Sequence, residues 1–159
     1  MICRKIISGG QTGVDRAALD ACLNANFTCG GWCPAGRKAE DGEIPLTYPL
    51  QEIWSTSYDD RTRKNINESD ATLIVYEGKL SGGTLLTYNY ASEKNKPIFL
   101  FKVSPFLIDE TLEQLFHFLK INQVETLNIA GPRASMWDKA YELSYLITAK
   151  LIQKINSPI

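Results

Sequence analysis

The chain of 159 residues is 44% hydrophobic and 22% charged, which is the length and balance of one ordinary globular domain, so we expect a single domain over 1–159. Its 17 basic and 18 acidic residues give a net charge of −1, which excludes a chain-wide positive field that would attract nucleic acid or an anionic membrane. No apolar run approaches the about 20 residues of a membrane-spanning helix, and the first residues lack the apolar core of a signal peptide, so we expect a cytoplasmic protein.

The first predicted element is a strand, from an apolar run over 2–8 that ends in two glycines. The next segment has the helical period, with small apolar residues on one face, and therefore predicts a helix that lies close to a sheet. Thr12 and Asp15 at its start resemble a capping box. This part of the chain is predicted to be strand, turn and helix.

The middle of the chain predicts shorter and less regular elements. A second strand is predicted over 28–33 and a weak strand over 50–54. Between them, 34–48 is rich in glycine, proline and charge and lacks periodicity, which indicates a long loop. A polar helix is predicted over 57–68, with acidic residues first and basic residues later, as the helix dipole favours.

The second half of the chain alternates strand and helix. The predicted elements are a strand over 71–76, a glycine turn over 78–84, a helix over 85–94, a strand over 97–101, a helix that includes Leu112 and Leu119, a strand over 126–130, and a long helix with Trp137 after the turn Gly131-Pro132. Continuously apolar strands separated by helices indicate a parallel sheet covered on both faces. We therefore predict a doubly wound, Rossmann-like α/β fold with three α/β/α layers, and the pattern leaves the strand order open.

Three turns follow predicted strands at the edge where such sheets bind ligands. Each combines glycines with the start of a predicted helix, whose free N–H groups and partial positive charge suit a phosphate. Arg133 is expected in a first helical turn, where it would add a charge-assisted contact. The candidate ligand-binding residues in these turns are Gly9, Gly10, Gln11, Thr12, Gly13 and Asp15, then Ser81, Gly82, Gly83 and Thr84, and finally Gly131 and Arg133.

Each turn also has a purely structural interpretation, because glycine is common wherever a tight turn follows a strand. The first turn is neither a G-x-G-x-x-G motif nor a P-loop, since no Gly-Lys-Ser/Thr follows. Asp15 is either an acid that stabilises the helix or an acceptor for a ligand hydroxyl. Arg61 and its polar neighbours belong either to the site or to a solvated helix face. Arg37 either contacts a bound anion from a lid over 36–42 or lies in an ordinary surface loop.

No protein-ligated metal is expected. Cys29 and Cys33 lack a second cysteine pair, and the only histidine, His117, lies in an amphipathic helix. A structural zinc site needs about four ligands. The sequence also offers no nucleophile–base pair, so no catalytic residue is assigned.

Several segments together resemble the putative molybdenum carrier family in residue type, order and spacing. The motifs are ISGGQTGVDRA at 7–17, GGWCP at 30–34, GRKAEDG at 36–42 and NIAGPR at 128–133, with further similarity at 58–65, 69–74 and 82–84. The resemblance covers nearly the whole chain. That family is similar in turn to the lysine decarboxylase-like, nucleotide-sensing Rossmannoids of the SLOG superfamily.

The resemblance implies a Rossmann-like fold, a homo-oligomer (dimer or tetramer), and a ligand that is the molybdenum cofactor (molybdopterin) or a nucleotide derivative. The molybdenum cofactor is a pterin that carries a phosphate and a dithiolene. Its phosphate would lie on the glycine turns, and Trp32 or Tyr58 would stack on its rings. The leading hypothesis is a carrier or sensor that binds a phosphorylated small molecule without catalysis.

A catalytic branch of the superfamily suggests the alternative, a nucleotide-processing hydrolase that acts on a glycosidic or phosphate bond. That branch uses a glutamate in the stretch Pro-Gly-Gly-x-Gly-Thr-x-x-Glu, and here the glutamate position falls on Asn89 or Thr87, depending on the glycines aligned. Asp15 or Glu40 would then have to serve as the acid–base group. A third hypothesis is an oligomeric partner module in which the glycines only shape turns.

Overall fold

The structure is a computed structural model that describes residues 2–157. Over these residues the strands are β1 (Lys5–Ile7), β2 (Cys29–Gly30), β3 (Trp32–Cys33), β4 (Lys38–Ala39), β5 (Gly42–Glu43), β6 (Gln51–Glu52), β7 (Ala71–Tyr76), β8 (Ile98–Lys102) and β9 (Thr126–Ala130). The helices are α1 (Val14–Asn24), α2 (Tyr58–Asn67), α3 (Gly82–Glu93), α4 (Ile108–Ile121) and α5 (Ala140–Asn156). Among the residues described, no helix has the length and apolar character needed to cross a membrane.

Five strands form a parallel sheet in the order β2-β1-β9-β7-β8. From β1 the chain crosses through α1 to β2 at one edge, whereas from β7 it crosses through α3 to β8 at the other edge. The two connections diverge on either side of β9, and the carboxyl ends of β1, β9 and β7 lie side by side. Such a point is where open α/β sheets bind ligands.

Helices cover both faces of this sheet. α1 packs against α5 and α5 packs against α4, whereas α2 packs against α3. Leu73 and Val75 of β7 belong to the core formed with α1, α4 and α5. Ile74, between them, is equally buried and faces the opposite side, as the period of a strand requires. This three-layer arrangement confirms the predicted Rossmann-like fold.

The segment predicted as one strand over 28–33 forms two strands in different sheets. β2 belongs to the parallel sheet, whereas β3 pairs with β6 outside it. Gly31 separates them with a φ of +128°, and a Cβ there would lie 2.9 Å from the backbone nitrogen of Ser8. Only glycine tolerates both this conformation and this close approach.

Two predicted helix starts also differ from the structure. α3 begins at Gly82, three residues before the predicted start, so the glycine turn itself forms the first turn of the helix. α5 begins only at Ala140, so the predicted position of Arg133 in a first helical turn is wrong. Arg133 instead lies in the loop between β9 and α5.

Candidate functional site

A cavity of about 450 Å³ opens at the carboxyl ends of β1, β9 and β7. Its volume is within the range of small-molecule sites. Its walls come from the residues after β1, from α2, from the turn between β7 and α3, and from the end of β9 with the loop that follows. All three turns singled out in the sequence reach this cavity, and they contribute to it in different ways.

The turn between β7 and α3 presents an open helix N-terminus to the cavity. Ser81, Gly82, Gly83 and Thr84 all line it. The N–H groups of Thr84 and Leu85 donate to Ser81 O at 3.1 and 3.2 Å, whereas within residues 2–157 no protein group accepts from the N–H of Gly82 or Gly83. Two free N–H groups and the partial positive charge of a helix start suit an oxyanion.

Space is open above these N–H groups. Apart from its chain neighbours and the backbone of α3, a Cβ built on Gly83 would meet no atom of residues 2–157 within 4 Å, and the φ of Gly83 lies outside the positive range. Gly82 is equally open, with a φ of +52° that favours glycine. Neither packing nor backbone conformation requires glycine at Gly83, so the missing side chain leaves room for a ligand.

Hydrogen bonds within the protein occupy part of the first turn. The Gln11 N–H donates to the Asp15 carboxylate at 3.3 Å, and the Val14 N–H donates to Pro132 O at 3.3 Å. Gly9, Gln11 and Asp15 line the cavity. This turn therefore supplies side chains to the site, while the amides of Gln11 and Val14 are already used.

Three other candidates of the first turn, Gly10, Thr12 and Gly13, lie outside the cavity lining. A Cβ on Gly13 would lie 2.8 Å from the Ala134 nitrogen, so this glycine allows close packing between two loops. Thr12 does not form the predicted capping box, because Gly13 is the N-cap residue of α1. The Thr12 hydroxyl instead donates to Glu40 and accepts from the Ala134 N–H at 3.1 Å.

The polar face of α2 belongs to the cavity. Arg61, Thr62 and Asn65, which the sequence left open between a site and a solvated face, all line it. The side-chain oxygen of Asn65 accepts from the Trp32 N–H at 2.9 Å, and its nitrogen donates to Trp32 O at 3.0 Å. These two bonds fix α2 to β3 and hold its cavity-facing side chains in place.

Arg61 and Asp15 form a buried ion pair in the cavity wall. Arg61 Nη1 lies 3.7 Å from Asp15 Oδ2 and donates to Gly9 O at 2.7 Å. A Cβ on Gly9 would lie 2.6 Å from Arg61 Cδ, so glycine lets the arginine lie against the end of β1. Burial raises the pKa of Asp15 to about 6, although the charge of Arg61 opposes the shift, and burial likewise lowers the pKa of Arg61.

Positive charge gathers around Tyr58, which also lines the cavity. The guanidinium carbons of Arg61 and Arg133 lie 5.5 and 5.2 Å from its ring centroid, and Lys38 Nζ lies 4.5 Å from it. These are cation–π distances. The ring therefore brings two cavity-lining arginines together, whereas Trp32, the other predicted stacking residue, is not part of the lining.

The third turn contributes Gly131 and Arg133 to the cavity. A Cβ on Gly131 would lie 2.6 Å from Val14 Cγ2, so glycine here permits contact between the end of β9 and the start of α1. Arg133 adds charge to the cavity from a loop position. The turn thus supplies one packing glycine and one cation.

Arg37 lies outside the cavity lining and orders its own loop. Its guanidinium is buried and donates at 2.8 to 3.1 Å to the backbone carbonyl oxygens of Ile44, Pro45, Tyr48 and Leu50. These bonds use four of the five donors with which Arg37 would contact an anion. The structure does not bring this candidate together with the others.

The tip of the same loop is bound to the protein beside the cavity. Arg16 donates twice to the Asp41 carboxylate, at 3.1 Å in each case, and Glu40 accepts from Ser135 and Thr12. Partial burial favours a higher pKa for Glu40, but these hydrogen bonds outweigh it, so the pKa lies below its ordinary value. The segment considered as a lid is a β4–β5 hairpin held in place, and Glu40 is not part of the cavity lining.

The lining also includes residues that were not among the sequence candidates, among them Glu77, Lys79, Asn128 and Trp137. Glu77 and Lys79 follow β7 directly, so their position after a predicted strand could have indicated them. Asn128 is a polar residue in a buried strand, and its side chain donates to the Thr72 hydroxyl at 3.3 Å. A polar residue in an otherwise apolar strand could have indicated a functional position. Trp137 had no such sequence signal, because the loop in which it lies was predicted to be part of a helix.

The cavity is lined by charged residues of both signs: Arg61, Lys79 and Arg133 are basic, and Asp15, Asp59 and Glu77 are acidic. Of the described residues that line it, none is a cysteine or a histidine. Within residues 2–157 no group of three or more His, Cys, Asp or Glu residues is placed to hold a metal ion.

Comparison with known proteins adds two findings. The family model described as the circularly permutated YpsA SLOG family matches residues 6–152. The crystal structure of a putative molybdenum carrier protein from Syntrophus aciditrophicus SB is similar to the chain with a TM-score of 0.90 and 39% sequence identity, over 98% of this chain and 96% of that chain. None of the curated proteins matches the chain significantly.

Proposed function

Because the chain belongs to the circularly permutated YpsA SLOG family, we propose that it is a carrier or sensor that holds the phosphate of a small molecule at the start of α3. The ligand is a molybdenum cofactor derivative or a nucleotide derivative. Gly82 and Gly83 contact the phosphate through their N–H groups. Lys79, Arg61 and Arg133 provide the positive charge of the same cavity.

One observation carries this proposal, namely the coincidence of free N–H groups and free space at Gly83. Glycine within a helix is less favourable than alanine by about 0.5–1 kcal/mol. Neither backbone strain nor close neighbours require glycine at Gly83, in the first turn of α3. A ligand that approaches the backbone would explain it. Phosphate at a helix N-terminus is the common case of such an approach.

The similar crystal structure supports the molybdenum cofactor as a ligand class, since that protein is described as a putative molybdenum carrier. The cavity volume of about 450 Å³ supports a small-molecule ligand, and none of the described residues that line it supplies a thiolate or an imidazole for the metal. A nucleoside monophosphate presents the same phosphate. Both classes therefore belong in one binding screen.

Thermal unfolding with nucleoside monophosphates, pterin phosphates and molybdate tests the proposal. A ligand present at 100 times its Kd should raise the free energy of unfolding by about 2.7 kcal/mol. Gly83→Leu should abolish this stabilisation, because the side chain fills the space above the N–H groups. Ser92→Leu is the matched control, since Ser92 is exposed on the same helix and outside the cavity.

Two results would contradict the proposal. Equal ligand stabilisation of the Gly83→Leu protein and the wild type would place the phosphate elsewhere. The absence of any shift across the whole screen would favour the hypothesis in which the glycines only shape turns.

A nucleotide-processing hydrolase is the second candidate, and Asp15 favours it. Its carboxyl lies in the cavity wall, and burial raises its pKa to about 6, near the range in which a general acid or base works at neutral pH. Asp15→Asn should then abolish release of base or phosphate from nucleoside monophosphates while ligand-induced stabilisation persists. If the wild type releases neither product, this candidate fails.

A further inference from the structure

Two hydrogen-bond donors in the cavity wall have no partner. Among residues 2–157, the buried side-chain atoms without a partner are Gln11 Nε2, Trp137 Nε1 and the hydroxyls of Ser144 and Thr148. Gln11 and Trp137 are only 6% and 8% exposed and line the cavity, whereas both hydroxyls lie on α5 outside it. A buried donor without an acceptor is unfavourable, so the two in the cavity wall require an explanation.

The bonds around Gln11 determine which end of its amide is free. Gln11 Oε1 accepts from the Thr12 N–H at 3.1 Å and from the Glu40 N–H at 2.8 Å. A reversed amide would place its NH₂ group against two other donors. The Nε2 group is therefore fixed as a donor without an acceptor.

The indole of Trp137 leads to the same conclusion. An indole N–H donates and never accepts. Trp137 lies in the loop between β9 and α5, which also carries Arg133, and its ring is part of the hydrophobic core. The unpartnered polar groups of the cavity wall, like the N–H groups at the start of α3, thus all need acceptors.

We propose that the ligand is a phosphorylated fused-ring heterocycle whose ring oxo group accepts from Gln11 Nε2 and Trp137 Nε1. This inference rests on the proposed function, because the phosphate at the start of α3 sets the position of the rings. Phosphates of 6-oxopurine nucleosides and of 4-oxopterins share this chemistry. A 6-aminopurine would place its own donor against these donors, and a site built in this way rejects it.

Inosine and adenosine monophosphates (IMP and AMP) test the inference, since they carry an oxo and an amino group at the same ring position. Titration calorimetry on the full chain should show IMP bound about tenfold more tightly than AMP, or better. Trp137→Phe keeps the aromatic packing and removes the N–H, so it should lower the IMP/AMP affinity ratio. Thr148→Val removes an unpartnered donor outside the cavity and should leave the ratio at the wild-type value.

Gln11→Glu provides a second variant. It keeps the acceptor for the two backbone N–H groups and removes the free donor. Its added charge weakens both nucleotides alike, so the affinity ratio remains the readout and should fall. Neopterin monophosphate distinguishes the two ligand sources, because tighter binding than IMP assigns the site to pterins and weaker binding assigns it to oxopurines.

Three outcomes would overturn the inference. If IMP and AMP bind with equal affinity and Gly83→Leu abolishes the binding of both, the site does not select an oxo group, although the proposed phosphate site stands. If both Trp137→Phe and Gln11→Glu retain the preference for IMP, these two donors do not bind the ring oxo group. If IMP, AMP and neopterin monophosphate all fail to bind, the inference and the proposed function fail together.

Discussion

Gly9 and Gly83 are glycines for opposite physical reasons, although both follow a strand. A Cβ on Gly9 would lie 2.6 Å from Arg61 Cδ, whereas a Cβ on Gly83 would meet nothing within 4 Å in the described part of the chain beyond its neighbours and the backbone of α3. The first glycine makes room for a protein side chain and the second leaves room in the cavity. At the scale of single residues, we therefore expect stability and ligand binding to depend on different glycines.

Alanine at each position separates these roles. Gly9→Ala should displace Arg61 from Gly9 O and from Asp15, and so lower the free energy of unfolding by about 1–3 kcal/mol. Gly83→Ala should leave that free energy unchanged or raise it by up to about 1 kcal/mol, because alanine favours a helix, while ligand binding weakens. Urea denaturation measures both effects, and equal losses in the two variants would contradict the distinction.

The buried carboxyl of Asp15 predicts a dependence of stability on pH. Its pKa is about 6 in the folded chain against an ordinary value of 3.8, so the folded chain keeps a proton that the unfolded chain releases between these values. Relative to Asp15→Asn, the free energy of unfolding should fall by on the order of 3 kcal/mol as the pH rises through this window. Urea denaturation of both proteins between about pH 4 and pH 7 measures the difference. Parallel pH profiles would show that the carboxyl is not shifted.

At the scale of elements, one arginine orders the segment that leads to β6. Arg37 is buried and donates to four carbonyl oxygens that all lie within 44–50. The hairpin β4–β5 is bound to the protein body through Asp41 and Glu40. Hydrogen bonds within the protein therefore hold this segment at both its hairpin and its connection to β6.

Arg37→Lys tests that role. An ammonium group cannot reach four carbonyls as a planar fork does, so we expect a loss of about 2–4 kcal/mol and faster hydrogen exchange over 34–50. Exchange measured by mass spectrometry reports the loop, and ligand affinity should change little because Arg37 lies outside the cavity lining. A loss of ligand binding with normal exchange would instead support the lid contact considered from the sequence.

At the scale of the whole molecule, the strand order decides where the site lies. β9 is the last strand in the chain and pairs with β1 on one side and β7 on the other. Its insertion between them brings Asn128 and Gly131 to the point where the turns after β1 and β7 meet. Three segments far apart in sequence thereby form one cavity.

Homo-oligomerisation, as a dimer or a tetramer, stays a prediction from the family resemblance. Leu85 on α3 and Leu100 on the edge strand β8 are exposed, and association would remove apolar surface of this kind from water. Sedimentation equilibrium should give a mass of two or four chains. A single-chain mass at every concentration would contradict the prediction.

The sequence by itself determined the fold class and most of the elements of the main sheet and its helices. The strands predicted over 71–76 and 126–130 are those of the structure, and the polar helix predicted over 57–68 is α2. It also located the three turns that reach the cavity. Hydrophobic period, glycine turns and helix starts depend on neighbours a few residues away, and such local preferences can be read along the chain.

The tertiary structure decided which groups in those turns are free to bind. The Val14 amide is taken by Pro132, Arg61 bonds to Gly9, and Arg37 binds carbonyls of its own loop, whereas the amides of Gly82 and Gly83 have no acceptor among residues 2–157. It also decided the strand order and left Gln11 and Trp137 as donors without partners. Whether a polar group is free depends on partners brought close by the fold, and for the Val14 amide and Arg61 these lie far away in the chain.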